Sequence, residues 1–472
     1  TGATGRWDTP DRSSAMTSGD LKAELDRYLA EYPETRFMEP LITDMNGILR
    51  GKRVGVEELG KAFKNGVNMC AATTILDTLG NTFANVPYGL NDGDPDAKAF
   101  AVPGSLAPVP WASLPTAQVL LELVELDGSP NENDPRNVLR RAMQPLYDMG
   151  LRPVLATELE FYLVEYDGQQ FQPRCPRIPG SDLRQPGMQY EVMEDLYEID
   201  DFLMDLNAIC KIQNIPVGAA LSEFSPGQFE VNLHHVEDPV LACDHAVLLK
   251  RAVKAAARKH DLAATFMAKP FADTAGSGMH VHVSLLDEDG NNVFSGKSAD
   301  GDFSDTLRHA IGGLGEAMPE SVALFAPNAN SYRRHAPGNF VPAAPEWGPN
   351  HRGVALRLPL AGPQNKRFEH RVAGADANPY FVVSAILAGI HHGISNKVEP
   401  RPMTPERAKL EYRMEIPTRW PRALDAFDAG NILPRYLGES YHKLYSDCRR
   451  EEEANYNAEI PAKDFEWFMR AV

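Results

Sequence analysis

The stretch Ala156–Glu165, "ATELEFYLVE", carries two carboxylates two residues apart inside what otherwise reads as a core strand. Strand side chains alternate between faces, so Ala156, Glu158, Glu160 and Tyr162 share one face while Leu159, Phe161 and Leu163 line the other. Taken alone, this pattern also suits a half-buried strand with its polar side in water. The remainder of the chain decides between the two readings.

Three further stretches repeat the theme. "QFEVNLHH" sets Gln228, Glu230, Asn232 and His234 opposite Phe229, Val231 and Leu233, with Glu223 just upstream in "SEFSPG". "GSGMHVHVSL", introduced by a glycine loop, groups His280, His282 and Ser284 against Met279, Val281 and Val283. "KRFEHRV" alternates Arg367, Glu369 and Arg371 with Phe368 and His370, and "GVALRLP" before it carries Arg357. A solvated face would mix Lys, Thr, Ser and Gln, whereas these faces concentrate Glu, His and Arg. Carboxylate-rich clusters with a single imidazole suit hard divalent ions such as Mg²⁺ or Mn²⁺, and Zn²⁺ sites usually use more His or Cys. Arginines add fixed cationic forks for phosphate and carboxylate oxygens. Metals with arginines suggest phosphoryl transfer.

The composition is that of a globular protein. Against 47 Lys+Arg stand 65 Asp+Glu, a formal charge of -18 over 472 residues, which argues against a duplex nucleic-acid surface. The five cysteines are scattered and never form a C-x-x-C pair, as expected for reduced thiols. No apolar run reaches the roughly 18 residues of a membrane span. These features predict a cytoplasmic protein that engages neither membrane nor nucleic acid.

Residues 1–16 lack an apolar period and are expected to be a disordered leader. Thr17 and Asp20 then read as a capping box before Leu21, Leu25 and Leu29 at helical spacing. From Thr35 to Leu126 the pattern is strands and loops, with a hairpin predicted at Asn46-Gly47 and a strand in "AQVLLELVEL". The polar "DGSPNENDPRN" separates this part from a helix capped by Asp134, opened by Pro135 and stopped by Gly150. The expected domains are therefore 17–130, an N-terminal helix with a small β-rich domain, and 131–472, a mixed α+β catalytic domain. Helices are predicted at 199–213, 239–260 and 378–394, the last two capped by Asp238 and Asn378 with proline following.

Familiar nucleotide signatures are missing. "GILRGKR" is too short for a Walker A loop and ends in Arg53 rather than Ser or Thr, and no G-x-G-x-x-G or kinase motif set occurs. ATP, if used, binds in a different fold.

Taken in order, "TDMNGILRGKR", "ELEFYL", "SPGQFEVNL", "ATFMAKP", "AGSGMHVHVS", "APNANSYRR", "WGPNHRGVALRLP" and "RVAGADANPY" resemble the glutamine synthetase superfamily, and within it the γ-glutamylputrescine synthetases. The resemblance runs over nearly the whole chain from about residue 20. It implies an N-terminal β-grasp domain, a catalytic domain whose curved antiparallel sheet forms an open half-barrel, and a dodecamer of two stacked hexamers with sites between neighbouring subunits. By position it implies Glu160, His280 and Glu369 as ligands of one metal, and Glu158, Glu223 and Glu230 as ligands of a second. His282 and Ser284 match nucleotide-side residues. Arg352 and Arg357 match residues handling the transferred phosphate, and Gly276, Arg334, Arg352 and Arg371 match positions around glutamate. The implied catalytic arginines are Arg352, Arg357 and Arg371. The reaction implied is ATP-dependent joining of the glutamate γ-carboxylate to an amine, through γ-glutamyl phosphate.

The chain departs from ammonia-using members of that superfamily at two acidic positions. Their Asp-Gly-Ser-Ser turn corresponds to the region "GVNMCAATTILDTLGN", where Asp77 is the candidate substitute. A glutamate that follows their glutamate-binding arginine corresponds to Phe340 in "RRHAPGNFVP". Losing both groups weakens an ammonium site and leaves room for an organic amine, with Phe340 and Trp347 as candidate walls or, equally, core residues. Putrescine or another polyamine is the leading acceptor, for whose distal ammonium Asp77 and Glu346 are candidate partners. A small alkylamine, an aromatic amine and, less well, ammonia are the enzymatic alternatives. A catalytically silent sensing or structural homologue is the other class, although silent copies usually lose metal ligands and all six positions are filled here.

Ammonium is small and needs close anionic partners, which Phe340 does not offer, whereas an organic amine gains on the order of 25 cal/mol per Å² buried. We expect kcat/KM for the preferred organic amine to exceed that for ammonia by at least about tenfold, roughly 1.4 kcal/mol. Phe340→Glu should narrow the ratio. Steady-state kinetics with ammonia and a panel of amines check both.

Overall fold

A computed structural model describes residues 18–84, 86–87, 93–187, 190–336, 341–411 and 413–472. The expected leader, Thr17 of the capping box, and Phe340 lie outside the described residues. The chain forms two compact units, one of residues up to 42 with 50–71 and 96–130, the other of 43–49, 72–95 and 131–472.

The first unit carries helix α1 (Ser18–Glu31), strands β1 (Phe37–Thr43), β2 (Leu49–Gly51) and β3 (Val54–Gly55), helix α2 (Leu59–Lys64), and strands β4 (Val67–Cys70), β5 (Asp96–Ala101), β6 (Ala107–Pro108) and β7 (Thr116–Val124). Its sheet runs β2-β1-β7-β5-β4, with β3 on β1 and β6 on β7. β1 and β7 are parallel, while β4, β5 and β7 pair antiparallel. Met38, Ala99, Val119, Leu121 and Leu123 form its buried apolar side. The predicted hairpin turn forms: Asp44 Oδ1 accepts from the N–H groups of Asn46 at 2.8 Å and Ile48 at 2.9 Å, and Gly47 takes φ +73°.

The second unit begins with α3 (Pro135–Asp148), β8 (Arg152–Tyr166), β9 (Phe171–Pro173), α4 (Met193–Tyr197), α5 (Asp200–Ile212), β10 (Val217–Ser222), β11 (Gln228–Leu233), α6 (Pro239–Lys259), β12 (Ala263–Thr265) and β13 (Met279–Leu286). It continues through α7 (Asp305–Phe325), α8 (Ser331–Arg334), β14 (Trp347–Pro349), β15 (Leu356–Leu358), β16 (Phe368–His370), α9 (Pro379–Asn396), α10 (Trp420–Asp428), α11 (Leu433–Leu437), α12 (Glu439–Ala458) and α13 (Ala462–Phe468). Its sheet runs β10-β11-β8-β13-β16-β15-β14, with β9 and β12 also on β8, and curls into an open half-barrel. The pairs are antiparallel except β14 with β15.

Helix starts follow the local chemistry. Asp134 accepts from the Arg136 N–H at 2.9 Å, Asp238 from Val240 at 2.9 Å and Leu241 at 3.2 Å, and Asn378 from Tyr380 at 3.0 Å, each with proline in the first turn. Helices α7 and α9 meet through glycines: a Cβ on Gly313 would lie 2.3 Å from the Gly389 carbonyl oxygen, so the backbones touch. Among the described residues no helix is long and apolar enough to cross a membrane.

The assignment of 43–49 and 72–95 to the second unit differs from the contiguous division expected at residue 130. Hydrogen bonds from late in the chain are the reason. Arg449 donates to Asn46 Oδ1 at 2.8 Å and to the Met45 carbonyl at 3.2 Å, and Asn378 Nδ2 donates to the Asp44 carbonyl at 3.0 Å. Thr78 Oγ1 donates to Glu452 at 2.7 Å, and the Ala84 N–H to Glu451 at 2.9 Å.

Asp238→Ala removes the acceptor that starts α6 and should cost about 1 kcal/mol, while Asp238→Asn, which keeps an accepting oxygen, should stay close to wild type. Urea unfolding midpoints of the three proteins check this.

Candidate active site

Directly opposed residues in an antiparallel pair share a face. On the second unit's sheet, Glu230 lies opposite Glu160, Glu158 opposite His280, His282 opposite Glu369, and Glu369 opposite Arg357. One polar row therefore crosses five strands. The reverse side of the same strands, Leu159, Phe161, Phe229, Val231, Val281, Val283 and Phe368, is buried apolar core. The amphipathic alternation read at Ala156–Glu165 is thus a core face and a site face.

Glu158 is the acceptor for both histidines, with His282 Nε2 at 2.8 Å and His280 Nδ1 at 3.3 Å. Arg367 Nε lies 3.2 Å from His282 Nδ1, which makes that nitrogen the acceptor and leaves the Nε2–H to face Glu158. His280 also stands 3.6 Å from Glu369 Oε1 and 3.7 Å from Glu160 Oε1. Glu160 Oε2 accepts from the Gly278 N–H at 2.7 Å. Glu369 is almost fully buried and holds Arg357 on Oε2 at 2.8 Å and Arg371 on Oε1. Arg371 Nε donates to the Arg352 carbonyl at 3.0 Å, and Arg357 also donates to Asn350 Oδ1 at 3.1 Å.

The carboxylates divide electrostatically. Burial opposes the charge on Glu158, yet hydrogen bonds from His280 and His282 outweigh it and hold its carboxyl well below the usual range. Glu369 is likewise buried, and the charges of Arg371, His280 and His282 bring it down to about 2. For Glu223 the balance goes the other way: burial, then the charge of Glu160, outweigh the Phe224 N–H and the charges of Arg352 and Arg371 and push it up to about 8. Burial and four neighbouring carboxylates push Glu230 up to about 10.

Among the described residues, two groups of three could hold a metal ion, Glu158–His280–Glu369 and Glu160–Glu230–His280, each with ligand atoms within 4.8 Å of one another. This grouping differs from the division implied by the resemblance, which put Glu160 with Glu369 and Glu158 with Glu230. Register is the reason, since β13 sets His280 opposite Glu158 and β11 sets Glu230 opposite Glu160. Glu223 follows β10 and joins through its charge on Glu160.

Gly276 and Gly278 let a guanidinium in. A Cβ on Gly276 would come within 2.7 Å of Arg334 Cγ, and one on Gly278 within 2.6 Å of an Arg334 terminal nitrogen and 2.9 Å of His280 Nε2. Arg334, nearly fully buried, donates to the Val372 carbonyl at 2.7 Å. Ser284 is half-buried beyond His282, opposite Val154, and the Arg352 side chain is exposed between β14 and β15.

Of the candidate amine-pocket residues, Phe340 lies outside the described residues, and each of the others has contacts of its own. Trp347 is 1% exposed, donates its indole N–H to the Arg401 carbonyl at 2.7 Å and stands edge-on to Phe303. It is packed as a core residue, one of the two readings that the sequence left open for it. Asp77 holds its own loop by accepting from the N–H and Nδ2 of Asn81 at 2.7 and 3.0 Å. Half-buried Glu346 accepts on its carbonyl from the Leu356 N–H at 3.1 Å. Two contacts escaped the sequence reading, that of the Gly278 amide with Glu160 and that of Arg367, already read on the polar face, with His282. The glycine pair in "AGSGM" and the alternation in "KRFEHRV" were the available signals.

Residues 132–468 match the family described as glutamine synthetase, catalytic domain. Gamma-glutamylputrescine synthetase of Escherichia coli is 41% identical over 462 residues, covering 97% of this chain and 96% of the relative. Glutamate–isopropylamine ligase of a Pseudomonas species is 32% identical, covering 76% of this chain and 78% of the relative. Gamma-glutamylethanolamide synthetase of Streptomyces coelicolor is 29% identical, covering 90% of each. A solved structure described as ligand-free GmaS superposes with a TM-score of 0.80 at 24% identity, covering 95% of this chain and 99% of that one. With its strand faces, its acidic row and its catalytic-domain match, the chain belongs to the glutamine synthetase family.

Proposed function

We propose that this chain is an ATP-dependent ligase that joins the γ-carboxylate of L-glutamate to an organic amine, with putrescine or another polyamine as the acceptor. The polar row from Glu230 to Arg357 carries the proposal, and the relative named for putrescine supports the choice of amine. In this reading the first unit is the β-grasp domain, the second is the catalytic domain, and the active enzyme is a cytoplasmic dodecamer of two stacked hexamers.

The donor set suits Mg²⁺ or Mn²⁺. Glu158, Glu160, Glu223, Glu230 and Glu369 with the single imidazole of His280 make an oxygen-rich set, and the crowding that raises Glu223 and Glu230 is what a divalent cation relieves. Two or more ions held by these six residues would neutralise phosphate oxygens during transfer. The protein's own groups do the remaining work. Glu369, ionised at neutral pH, keeps Arg357 and Arg371 fixed on its two oxygens, so both guanidinium groups stand in place before charge develops. His282 and Ser284 lie on the nucleotide side, and Arg352 and Arg357 at the transferred phosphate. Gly276, Arg334, Arg352 and Arg371 surround glutamate.

A γ-carboxylate oxygen attacks the terminal phosphorus of ATP, and the bond to ADP breaks. The amine nitrogen then attacks the carbonyl carbon of γ-glutamyl phosphate, the bond to phosphate breaks, and the nitrogen's proton passes to that phosphate or to a carboxylate. The amine must arrive neutral, because an ammonium has no lone pair.

Phosphate release from ATP in the presence of glutamate, measured over diamines, alkylamines, anilines and ammonia, tests the proposal. Turnover should be fastest with putrescine or a longer polyamine; preference for isopropylamine would favour the alkylamine reading, and amine-independent or absent turnover would sink the ligase.

Metal removal should leave a pH signature. Without divalent ions the folded protein keeps protons on Glu223 and Glu230 up to about 8 and about 10, whereas the unfolded chain loses them near the ordinary value of 4.5. The folded state binds more protons in that window, so its stability falls as pH rises through it. Thermal melts in excess chelator should show Tm falling from about pH 6 to about pH 9, a fall flattened by Glu230→Gln and reversed by Mg²⁺ or Mn²⁺ with release of protons.

A further inference from the structure

Arg334 is held from two ends. At its tip it donates to the Val372 carbonyl at 2.7 Å, and its stem and fork lie against the glycine pair Gly276 and Gly278 beside His280. At its root, α8 is only four residues long and cannot fix its own start. A buried carboxylate does so instead. Asp376 Oδ2 accepts from Ser331 Oγ at 2.6 Å and from Asn328 Nδ2 at 2.9 Å. Asn328 Oδ1 in turn accepts from the backbone N–H of Asn330 at 2.9 Å and of Ser331 at 3.3 Å. Asn330 closes the set by exchanging two hydrogen bonds, both 2.9 Å, with the backbone of Lys269. Val372 and Asp376 lie four residues apart in the segment after β16, so a single stretch of chain grips both ends of the Arg334 path.

We propose that Asp376 is a positioning residue for Arg334 and, through it, for the amino-acid substrate. The proposal rests on the reading above in which Arg334 meets glutamate. A guanidinium recognises a carboxylate through a fork of fixed geometry, and a displacement of about 1 Å forfeits the paired hydrogen bonds. Releasing the start of α8 moves the fork without removing it. Only one oxygen of Asp376 takes part in the grip, and Oδ1 is buried with no hydrogen-bond partner among the described residues. An asparagine can therefore present its single carbonyl oxygen to Ser331 and Asn328 and preserve the grip, whereas alanine cannot. If the charge of Asp376 were what mattered, asparagine would be as harmful as alanine.

Steady-state kinetics of the full-length enzyme with a saturating amine separate these cases. Asp376→Ala should raise KM for glutamate about tenfold while KM for ATP stays within about twofold, and Asp376→Asn should keep both within about threefold of wild type. Ser331→Ala, which removes one of the two bonds, should raise KM for glutamate by about threefold and serves if the alanine variant does not fold. Equal movement of both KM values, no movement in the alanine variants, or an asparagine variant as impaired as alanine would overturn the proposal and leave the ligase reading intact. A wild-type enzyme with no glutamate-dependent turnover would overturn both.

Discussion

Strand β8 pairs with β11 on one side and β13 on the other, and its register with both determines what the sheet can do. Side chains alternate with a period of two, so a slip of one residue would turn Glu158 and Glu160 into the apolar core and bring Leu159 and Phe161 to the site face. Such a slip buries charge with no partner, which is far costlier than any lost packing contact. The apolar side, from Leu159 through Val281 to Phe368, therefore does more than stabilise the unit. It fixes the rotational phase in which five strands present their acidic and basic groups to one space.

That space is crowded with like charge, and the structure answers with an uneven arrangement. Glu158 takes both histidines and Glu369 takes both arginines, so these two stay ionised, while Glu223 and Glu230 bear the repulsion. An apolar or hydrogen-bonded core would be the more stable alternative for a protein without a task there. The arrangement suits a site that receives cations and phosphate, with its arginines held in advance.

Segments distant in sequence complete the second unit. Arg449, Glu451 and Glu452 on α12 hold the turn at Met45–Asn46 and the stretch around Thr78 and Ala84, so late residues fix the path of early ones. Helix α12 adds to this by stacking the Arg449 guanidinium over Tyr445.

Much of this was determined by the sequence alone. Local rules placed the starts of α3, α6 and α9, because an aspartate or asparagine followed by proline satisfies orphan N–H groups within three residues of itself. Period-two alternation marked the strands and named the row's members, since a face is a property of one strand. Partnership is not. Which carboxylate meets His280 depends on the register between β8 and β13, set by pairing across more than a hundred residues, so the division of the acidic groups had to wait for the fold. Trp347 carries the same lesson: its ring is equally suited to a pocket or a core, and only the Arg401 carbonyl and Phe303, brought to it by the fold, make it a core residue. The affiliation of 43–49 and 72–95 was likewise hidden, because the groups that claim those segments lie hundreds of residues away and no local pattern refers to them.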